Sequence, residues 1–244
     1  MAKRLDFPIL RQPNDVTCGA TCLHALYNFY GDPIPLPQVV AEVPQLDAGG
    51  TLGVLLACHA LRRGYDATIY TYNLRVFDPT WFASGVDMRE RLRRQAAATA
   101  DPKVRLASVS YVEFLDLGGV LRCEDLTREL IRGFLNDGTP IMTGLSATWL
   151  YRCAREVGND PSVYDDLHGH PAGHFVVLCG YERRGRHVLV ADPLHPNPVA
   201  RTQQYLVAID RLVPAILLGI LTYDANLLIL TPRSNADPDR RQQV

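Results

Sequence analysis

The sequence predicts an α+β fold, because segments with helical periodicity come first along the chain and short strand segments follow. In the early segments, apolar residues recur at the spacing of one helix face. The later segments are short runs of β-branched and aromatic residues bounded by turns. A chain of 244 residues can bury one sizeable core. We therefore predict a single domain over residues 1–232, followed by a disordered polar tail over residues 233–244.

Helices are predicted from apolar spacing and from the residues that begin or end each one. The first begins at Thr17 or Cys18, and Gly31 is placed just beyond its end as a stop. Thr51 is predicted to cap the third helix, and Gly64 ends it. The predicted ranges are 18–30, 36–43, 51–63, 88–98 and 123–136.

Strands are predicted where β-branched and aromatic residues lie next to turn residues. Their ranges are 66–72, 141–145, 175–181, 187–191, 203–207 and 226–230. Residues 209–221 are predicted to form a helix or a connector. A short turn joins the strands at 175–181 and 187–191, so we expect these two strands to pair as a hairpin.

Composition and charge argue against several classes of function. The formal net charge is −1, which gives no electrostatic reason to bind nucleic acid or an anionic membrane. No run approaches the roughly 20 apolar residues that span a bilayer, and the N-terminus lacks the apolar region of a signal peptide. The six cysteines form no C-x-x-C pair and are too sparse for a disulfide scaffold. We expect a cytosolic protein with mostly reduced core cysteines and no metal or organic cofactor.

The stretch QPNDVTCGATCL carries the strongest sign of chemistry. Cys18 opens the first predicted helix, where the helix dipole and unpaired N–H groups favour the nucleophilic thiolate. Gln12 lies six residues upstream, and its amide can donate to the oxygen of an attacked carbonyl. We predict that Cys18 is a nucleophile and Gln12 an oxyanion donor. The alternatives are a buried structural cysteine and a surface glutamine.

A histidine and an aspartate far downstream complete the set. His174 lies at the start of one strand, and Asp192 follows the strand expected to pair with it. Because a hairpin brings these strand ends together, the carboxylate can accept the imidazole N–H and hold its tautomer. We predict His174 as the base and Asp192 as its orienting partner. The alternatives are a core histidine and a turn aspartate. Together with the cysteine and the glutamine, they are the parts of a papain-like thiol hydrolase.

Two segments resemble the bacteriocin-processing (double-glycine leader) peptidase family. The segment QPNDVTCGATCLHALYNFYG is similar to its first motif, a glutamine, five residues and C-G-x-x-C-L. The segment GHFVVLCGYERRGRHVLVADP resembles its second motif, a G-H-F-V-V strand, a turn and a strand ending in D-P. The resemblance spans most of residues 7–193.

This resemblance implies a cysteine peptidase of papain-like fold, acting on a peptide or protein substrate. The N-terminal helical part would carry Cys18, and an antiparallel sheet would carry His174 and Asp192. Gln12 would be the oxyanion donor. The sequence contains no segment resembling a transporter membrane region or ATPase, so we expect a freestanding enzyme.

Residues 147–172 form a long, polar, turn-rich insertion directly before the histidine motif. We predict that it is a lid or wall beside the cleft that selects a basic or polar peptide; the alternative is a surface loop without a role. Its acidic residues near Tyr164 are Asp160, Asp165 and Asp166. The substrate-binding residues predicted at this edge are Tyr151, Tyr164 and Gly173.

Other interpretations remain open at this stage. His168, His170 and His174 are close in sequence, but their spacing does not match a zinc motif. The arginines at 89, 91, 93 and 94 are predicted to form a solvated helix face. A thioester can also be released by an amine, so an acyl or peptidyl transferase is the alternative function. A catalytically inactive peptide-binding module is a third, against which the intact Cys, His, Asp and Gln argue.

Overall fold

The computed structural model describes residues 2–47, 49–158, 161–182 and 186–233, and it has the predicted α+β architecture. Nearly all of the predicted tail therefore lies outside the described residues. The helices are α1 Cys18–Phe29, α2 Leu36–Glu42, α3 Gly53–Arg62, α4 Met88–Ala98, α5 Pro102–Asp116, α6 Arg128–Asn136, α7 Ala147–Tyr151 and α8 Ile209–Leu218, with 3-10 turns at Pro79–Phe82 and Gly219–Thr222. The strands are β1 Lys3–Arg4, β2 Tyr65–Thr71, β3 Val120–Arg122, β4 Ile141–Ser146, β5 Glu156–Val157, β6 Val163–Tyr164, β7 Gly173–Glu182, β8 His187–Ala191, β9 Gln204–Ala208 and β10 Asn226–Pro232.

A central sheet of eight strands organises the molecule. Its main path runs β3-β2-β10-β4-β7-β8-β9, and β1 pairs with β7 beside this path. Every pair in it is antiparallel except β2 with β3. β7 and β8 pair as the predicted hairpin, with Val177 opposite Ala191. The histidine strand and the chain leading into Asp192 are therefore neighbours at one end of the sheet.

Apolar side chains cover both faces of the sheet. Alternate residues of β7 point to opposite sides, so Phe175 and Val177 join one buried cluster while Val176 and Leu178 join the other. The first cluster holds α1 and α3, and the second holds α8 and parts of α6 and α7. In the described part of the chain, no helix has the length and apolar character that crossing a membrane requires.

The structure adds two helices, α5 and α7, and four strands, β1, β3, β5 and β6, that the sequence analysis left unassigned. Asp101 caps α5 by accepting hydrogen bonds from the backbone N–H groups of Lys103 and Val104, and Pro102 occupies the first turn. This is a standard helix start. Its weak amphipathicity, with Ser108 and Ser110 buried among apolar residues, explains why apolar spacing did not reveal it.

Two predicted helix starts are wrong. α6 begins at Arg128, five residues later than position 123, because the Thr127 hydroxyl accepts from the N–H of Leu130 and caps the helix there. Thr51 does not cap α3; its hydroxyl donates to the carbonyl of Pro44. The N–H of Gly53 instead donates to Oδ1 of Asp224 at 2.9 Å, so α3 is capped by a residue distant in sequence.

Asp224 makes protein stability depend on pH. Burial raises the pKa of its carboxyl to about 7, against the opposing hydrogen bonds from Gly53 and Asn226. Between the ordinary carboxyl pKa and about 7, the folded protein binds a proton that the unfolded chain has released, so stability falls as pH rises. The difference in free energy of unfolding between Asp224→Asn and wild type should therefore shift in favour of the variant by about 2–4 kcal/mol as pH rises from about 4 to about 8. Urea unfolding at both pH values measures this, with exposed Asp6→Asn as the control that should show no such gain.

Candidate active site

Cys18 is the first residue of α1, where it lies buried with 8% exposure. The helix packs closely on the sheet because Gly19 has no side chain. A Cβ at that position would come within 3.2 Å of atoms of Thr51, Leu56 and Phe175. One turn further on, the Cys22 thiol donates to the carbonyl of Phe175 at 3.2 Å. These contacts hold the helix that begins at Cys18 against the residue that follows His174.

His174 and Asp192 form a buried hydrogen-bonded pair. Nε2 of His174 lies 2.8 Å from Oδ1 of Asp192, and their side chains are 6% and 0% exposed. The backbone N–H of Leu194 donates to the same carboxylate oxygen at 2.9 Å. Because Nε2 faces Asp192, Nδ1 is the ring nitrogen left for Cys18. This is the arrangement expected when a carboxylate fixes the tautomer of a catalytic base.

Electrostatics at the site favour the charged form of both partners. Burial disfavours a protonated His174, but the negative charges of Asp192 and Cys18 and their hydrogen bonds outweigh it and raise the imidazole pKa to about 10. Burial likewise disfavours an ionised Asp192, yet the charge of His174 and the donated hydrogen bonds lower its carboxyl pKa. The protonated form of the His174 imidazole is therefore favoured at neutral pH.

Two tyrosines complete the environment of Asp192, and the sequence analysis did not assign them that role. The hydroxyls of Tyr151 and Tyr205 donate to Oδ2 at 2.7 and 2.5 Å. Tyr151 is 8% exposed and its hydroxyl is bound to Asp192, while its predicted contact with substrate stays a prediction. Tyr205 lies on β9, which pairs with β8. The only available signal was that this tyrosine occurs in a strand predicted near the aspartate.

These hydroxyls should contribute measurably to stability. A hydrogen bond to a buried charge contributes about 1.5–3 kcal/mol, and its removal leaves part of the Asp192 carboxylate unsatisfied. We expect Tyr205→Phe and Tyr151→Phe each to lower the free energy of unfolding by about that amount. Tyr181→Phe is a matched control, since Tyr181 is also buried on this sheet but does not contact Asp192. Equal stabilities of Tyr205→Phe and Tyr181→Phe would contradict the assigned contact.

Gln12 lies next to the loop after the aspartate. Its backbone N–H donates to the carbonyl of Pro193 at 2.9 Å, so the segment preceding α1 is bound directly to the Asp192–Pro193 turn. The side chain is buried, and Nε2 donates to the carbonyl of Asn14 at 2.9 Å. One amide hydrogen is used in that bond. Within the described residues, Oε1 is buried and has no hydrogen-bond partner.

A cavity of about 350 Å³ opens beside His174. Gly173, Tyr151 and Tyr164 all line it, and the insertion supplies one wall through β5 and β6. Tyr164 is more than half exposed. The residues lining the cavity are Gln12, Asp15, Ala147, Tyr151, Glu156, Ser162, Tyr164, Ala172, Gly173, His174, Leu194, Pro196, Asn197 and Pro198.

The insertion is more ordered than its composition suggested, and its acidic residues are placed differently. Asp165 does not line the cavity; its carboxylate accepts from the N–H groups of Leu167 and His168 and pairs with the His168 ring. Asp166 does not line it either, and Asp160 lies outside the described residues. In the described part of the chain, no three His, Cys, Asp or Glu side chains are grouped as a metal site would require.

The chain matches a known family over most of its length. Residues 4–208 match the sequence model of the Peptidase_C39 like family. No match was found among curated proteins. The resemblance to a cysteine peptidase family drawn from the two motifs agrees with this family match.

Three solved structures align with most of this chain. A crystal structure described as a C39-like peptidase from Bacillus anthracis has a TM-score of 0.53 at 14% identity, covering 96% of this chain and 99% of that one. A double glycine motif protease from an AMS/PCAT transporter, in complex with the leader peptide, has a TM-score of 0.44 at 15% identity, covering 96% of this chain and 99% of that one. Xylellain, a cysteine protease from Xylella fastidiosa, has a TM-score of 0.44 at 14% identity, covering 96% of this chain and 86% of that one. The family match and the first of these likenesses confirm the predicted papain-like α+β fold.

Proposed function

The chain belongs to the Peptidase_C39 like family, and from this membership we propose that it is a cysteine peptidase with Cys18 as its nucleophile. The proposal is supported by one observation: His174 is hydrogen bonded to the buried carboxylate of Asp192, and Cys18 at the start of α1 is near enough to help raise the imidazole pKa. A helix N-terminus and a neighbouring imidazolium are the two features that activate a thiol as a nucleophile.

The residues divide the reaction between them. The Cys18 thiolate attacks the peptide carbonyl carbon and forms a tetrahedral intermediate with a negatively charged oxygen. His174, protonated at the start, gives its Nδ1 proton to the leaving amine as the C–N bond breaks, which leaves a thioester on Cys18. His174, now neutral, then takes a proton from water as water attacks the thioester. The acid product leaves, and the thiolate and imidazolium are restored.

The remaining side chains hold charge in place during these steps. Asp192 fixes the His174 ring through Nε2 and stabilises its positive charge, while Tyr151 and Tyr205 hold the carboxylate. The second amide hydrogen of Gln12 and the backbone N–H of Cys18 are the proposed donors to the oxyanion. No step of this scheme calls for a metal or an organic cofactor.

The first test is the relative reactivity of the cysteines. The pKa of each of the other five thiols is raised, in every case chiefly by burial. Cys22, Cys58 and Cys179 are buried, and Cys123 is the exposed competitor. We expect limited iodoacetamide at neutral pH to alkylate Cys18 first, because only the thiolate reacts. Peptide mapping by mass spectrometry measures the order.

A matched pair of variants sharpens this test. Cys123→Ser should leave the fast alkylation unchanged, whereas His174→Ala should slow it by removing the imidazolium. Alkylation of Cys123 or Cys58 ahead of Cys18 in the wild-type protein would contradict the proposed nucleophile.

A further inference from the structure

The cavity beside His174 has an acidic wall. Two of its lining residues are carboxylates, Asp15 from the segment before α1 and Glu156 from β5. None of the described residues lining it is a lysine or an arginine. The one cationic group there, His174, is already paired with Asp192. The cavity therefore presents uncompensated negative charge next to the reacting atoms.

Tyr164 shows that the two carboxylates act on the same space. This tyrosine lines the cavity, and its phenol pKa is raised, first by burial and then by the negative charges of Cys153, Glu156 and Asp15. Both carboxylates are thus within electrostatic reach of one hydroxyl. They come from segments far apart in sequence, and the fold brings both to this cavity.

The wall is fixed in place. Oδ2 of Asp15 accepts from the backbone N–H of Ser162 at 3.1 Å, which joins the β5–β6 hairpin to the segment before Cys18. At its base, Glu156 and His170 exchange two backbone hydrogen bonds of 3.0 and 2.8 Å. The Arg155 guanidinium donates to the carbonyls of Asp166 and Leu167, in the turn that follows β6. That nearby cation is accordingly held by the loop and does not line the cavity.

A buried acceptor in the same cavity independently indicates a ligand that donates hydrogen bonds. Gln12 is 6% exposed and lines the cavity, and within the described residues its Oε1 has no partner. A buried amide oxygen without a donor is rare in folded proteins, and a ligand is one way to satisfy it. The cavity thus offers two carboxylates and a free carbonyl oxygen.

Building on the proposed peptidase function, we propose that this cavity is a specificity pocket that selects a basic side chain of the substrate, lysine or arginine, through Asp15 and Glu156. A volume of about 350 Å³ is sufficient for such a side chain. Ammonium and guanidinium groups carry several N–H donors and a positive charge, so they satisfy all three acceptors. The residues that select the substrate are therefore Asp15 and Glu156, whereas Asp165 and Asp166, which do not line the cavity, do not take part.

The test uses the rate of covalent labelling of Cys18, which does not depend on knowing the natural substrate. The probes are epoxysuccinyl peptides, which react with a nucleophilic cysteine and can be extended on both sides of the epoxide. Three matched probes differ only in carrying lysine, norleucine or glutamate at one position of the peptide. The same series is repeated for each position on both sides of the epoxide. The labelling rate is measured by intact-protein mass spectrometry in wild type, Asp15→Asn/Glu156→Gln and the control Asp166→Asn.

We expect the lysine probe to react with wild type about tenfold faster than the norleucine probe at one position, and the glutamate probe to be slowest. In Asp15→Asn/Glu156→Gln the lysine advantage should fall below about threefold, because Asn and Gln keep the size but lose the charge. Asp166→Asn removes one negative charge from the exposed turn after β6 and should keep the full advantage. Equal reaction with iodoacetamide in all three proteins verifies that Cys18 itself is unaffected.

The outcomes separate this inference from the function on which it rests. If Cys18 is labelled but shows no preference for lysine, or keeps it in Asp15→Asn/Glu156→Gln, the pocket assignment is wrong and the peptidase proposal stands. If Asp166→Asn loses the lysine preference to the same extent, the preference comes from the overall negative charge of this region, and the pocket assignment is likewise wrong. If no probe labels Cys18, both proposals fail.

Discussion

Cys18→Ala and His174→Ala are each expected to lower peptide turnover by at least about 10⁴-fold. Alanine at position 18 removes the proposed nucleophile, and alanine at position 174 removes the imidazolium proposed to stabilise the thiolate and to protonate the leaving amine. Because both act in one step, the double variant should be no slower than the single variants. The measurement is kcat/KM on a peptide substrate found by screening, with circular dichroism to verify folding.

The activity of the wild-type enzyme should also depend on pH in a defined direction. The pKa of His174 is raised to about 10, so its protonated form is present at neutral pH and is lost as pH rises through about 10. Activity should fall over that range as the imidazolium disappears. A fully active His174→Ala enzyme, or a double variant far slower than either single variant, would contradict the shared step.

Gln12→Ala has the second largest expected effect, a loss of about 10²–10³ in turnover. The amide hydrogen proposed for the oxyanion stabilises charge that exists only in the transition state, so on a substrate without a basic side chain the loss should fall on kcat and leave KM nearly unchanged. The backbone bond from Gln12 to Pro193 does not involve the side chain, so the local fold should persist in the variant.

Gln12→Glu is the matched control for size. It keeps the volume of the side chain but replaces the amide donor with a negative charge near the developing oxyanion. We expect it to be at least as slow as Gln12→Ala. A Gln12→Glu enzyme with wild-type kcat would exclude Gln12 as the oxyanion donor.

Local signals accounted for much of the fold. α4 and β8 have the bounds that were predicted, because Asp87 is a strong cap and 187–191 is a continuous apolar run next to a turn. The start of α3 was not predictable in the same way. Its cap is Asp224, which comes from the other end of the chain, so only the folded structure identifies it.

The same distinction applies to the candidate site. Cys18, His174, Asp192 and Gln12 each stand in a short motif with its own chemical meaning, so the sequence could nominate them. Tyr205 has no such motif: it is 13 residues from Asp192 and meets it only because β9 pairs with β8.

The wall of the cavity shows most clearly what could not be predicted from the sequence. The insertion was rightly placed beside the histidine, but composition could not tell which acids face inward. Asp165 is used by its own turn, whereas Asp15 comes from a different part of the chain. Which carboxylates face the cavity depends on the tertiary packing of the hairpin against the segment before α1.

The mass of a covalent adduct on Cys18 tests the central claim most directly. The protein is mixed with a peptide library, quenched with acid within seconds, digested and mapped by mass spectrometry. The proposed mechanism predicts an acyl group, attached as a thioester, on the fragment that contains Cys18, and no such adduct in Cys18→Ala. Peptide cleavage that continues in Cys18→Ala, with no acyl group on Cys18 in the wild-type protein, would contradict it.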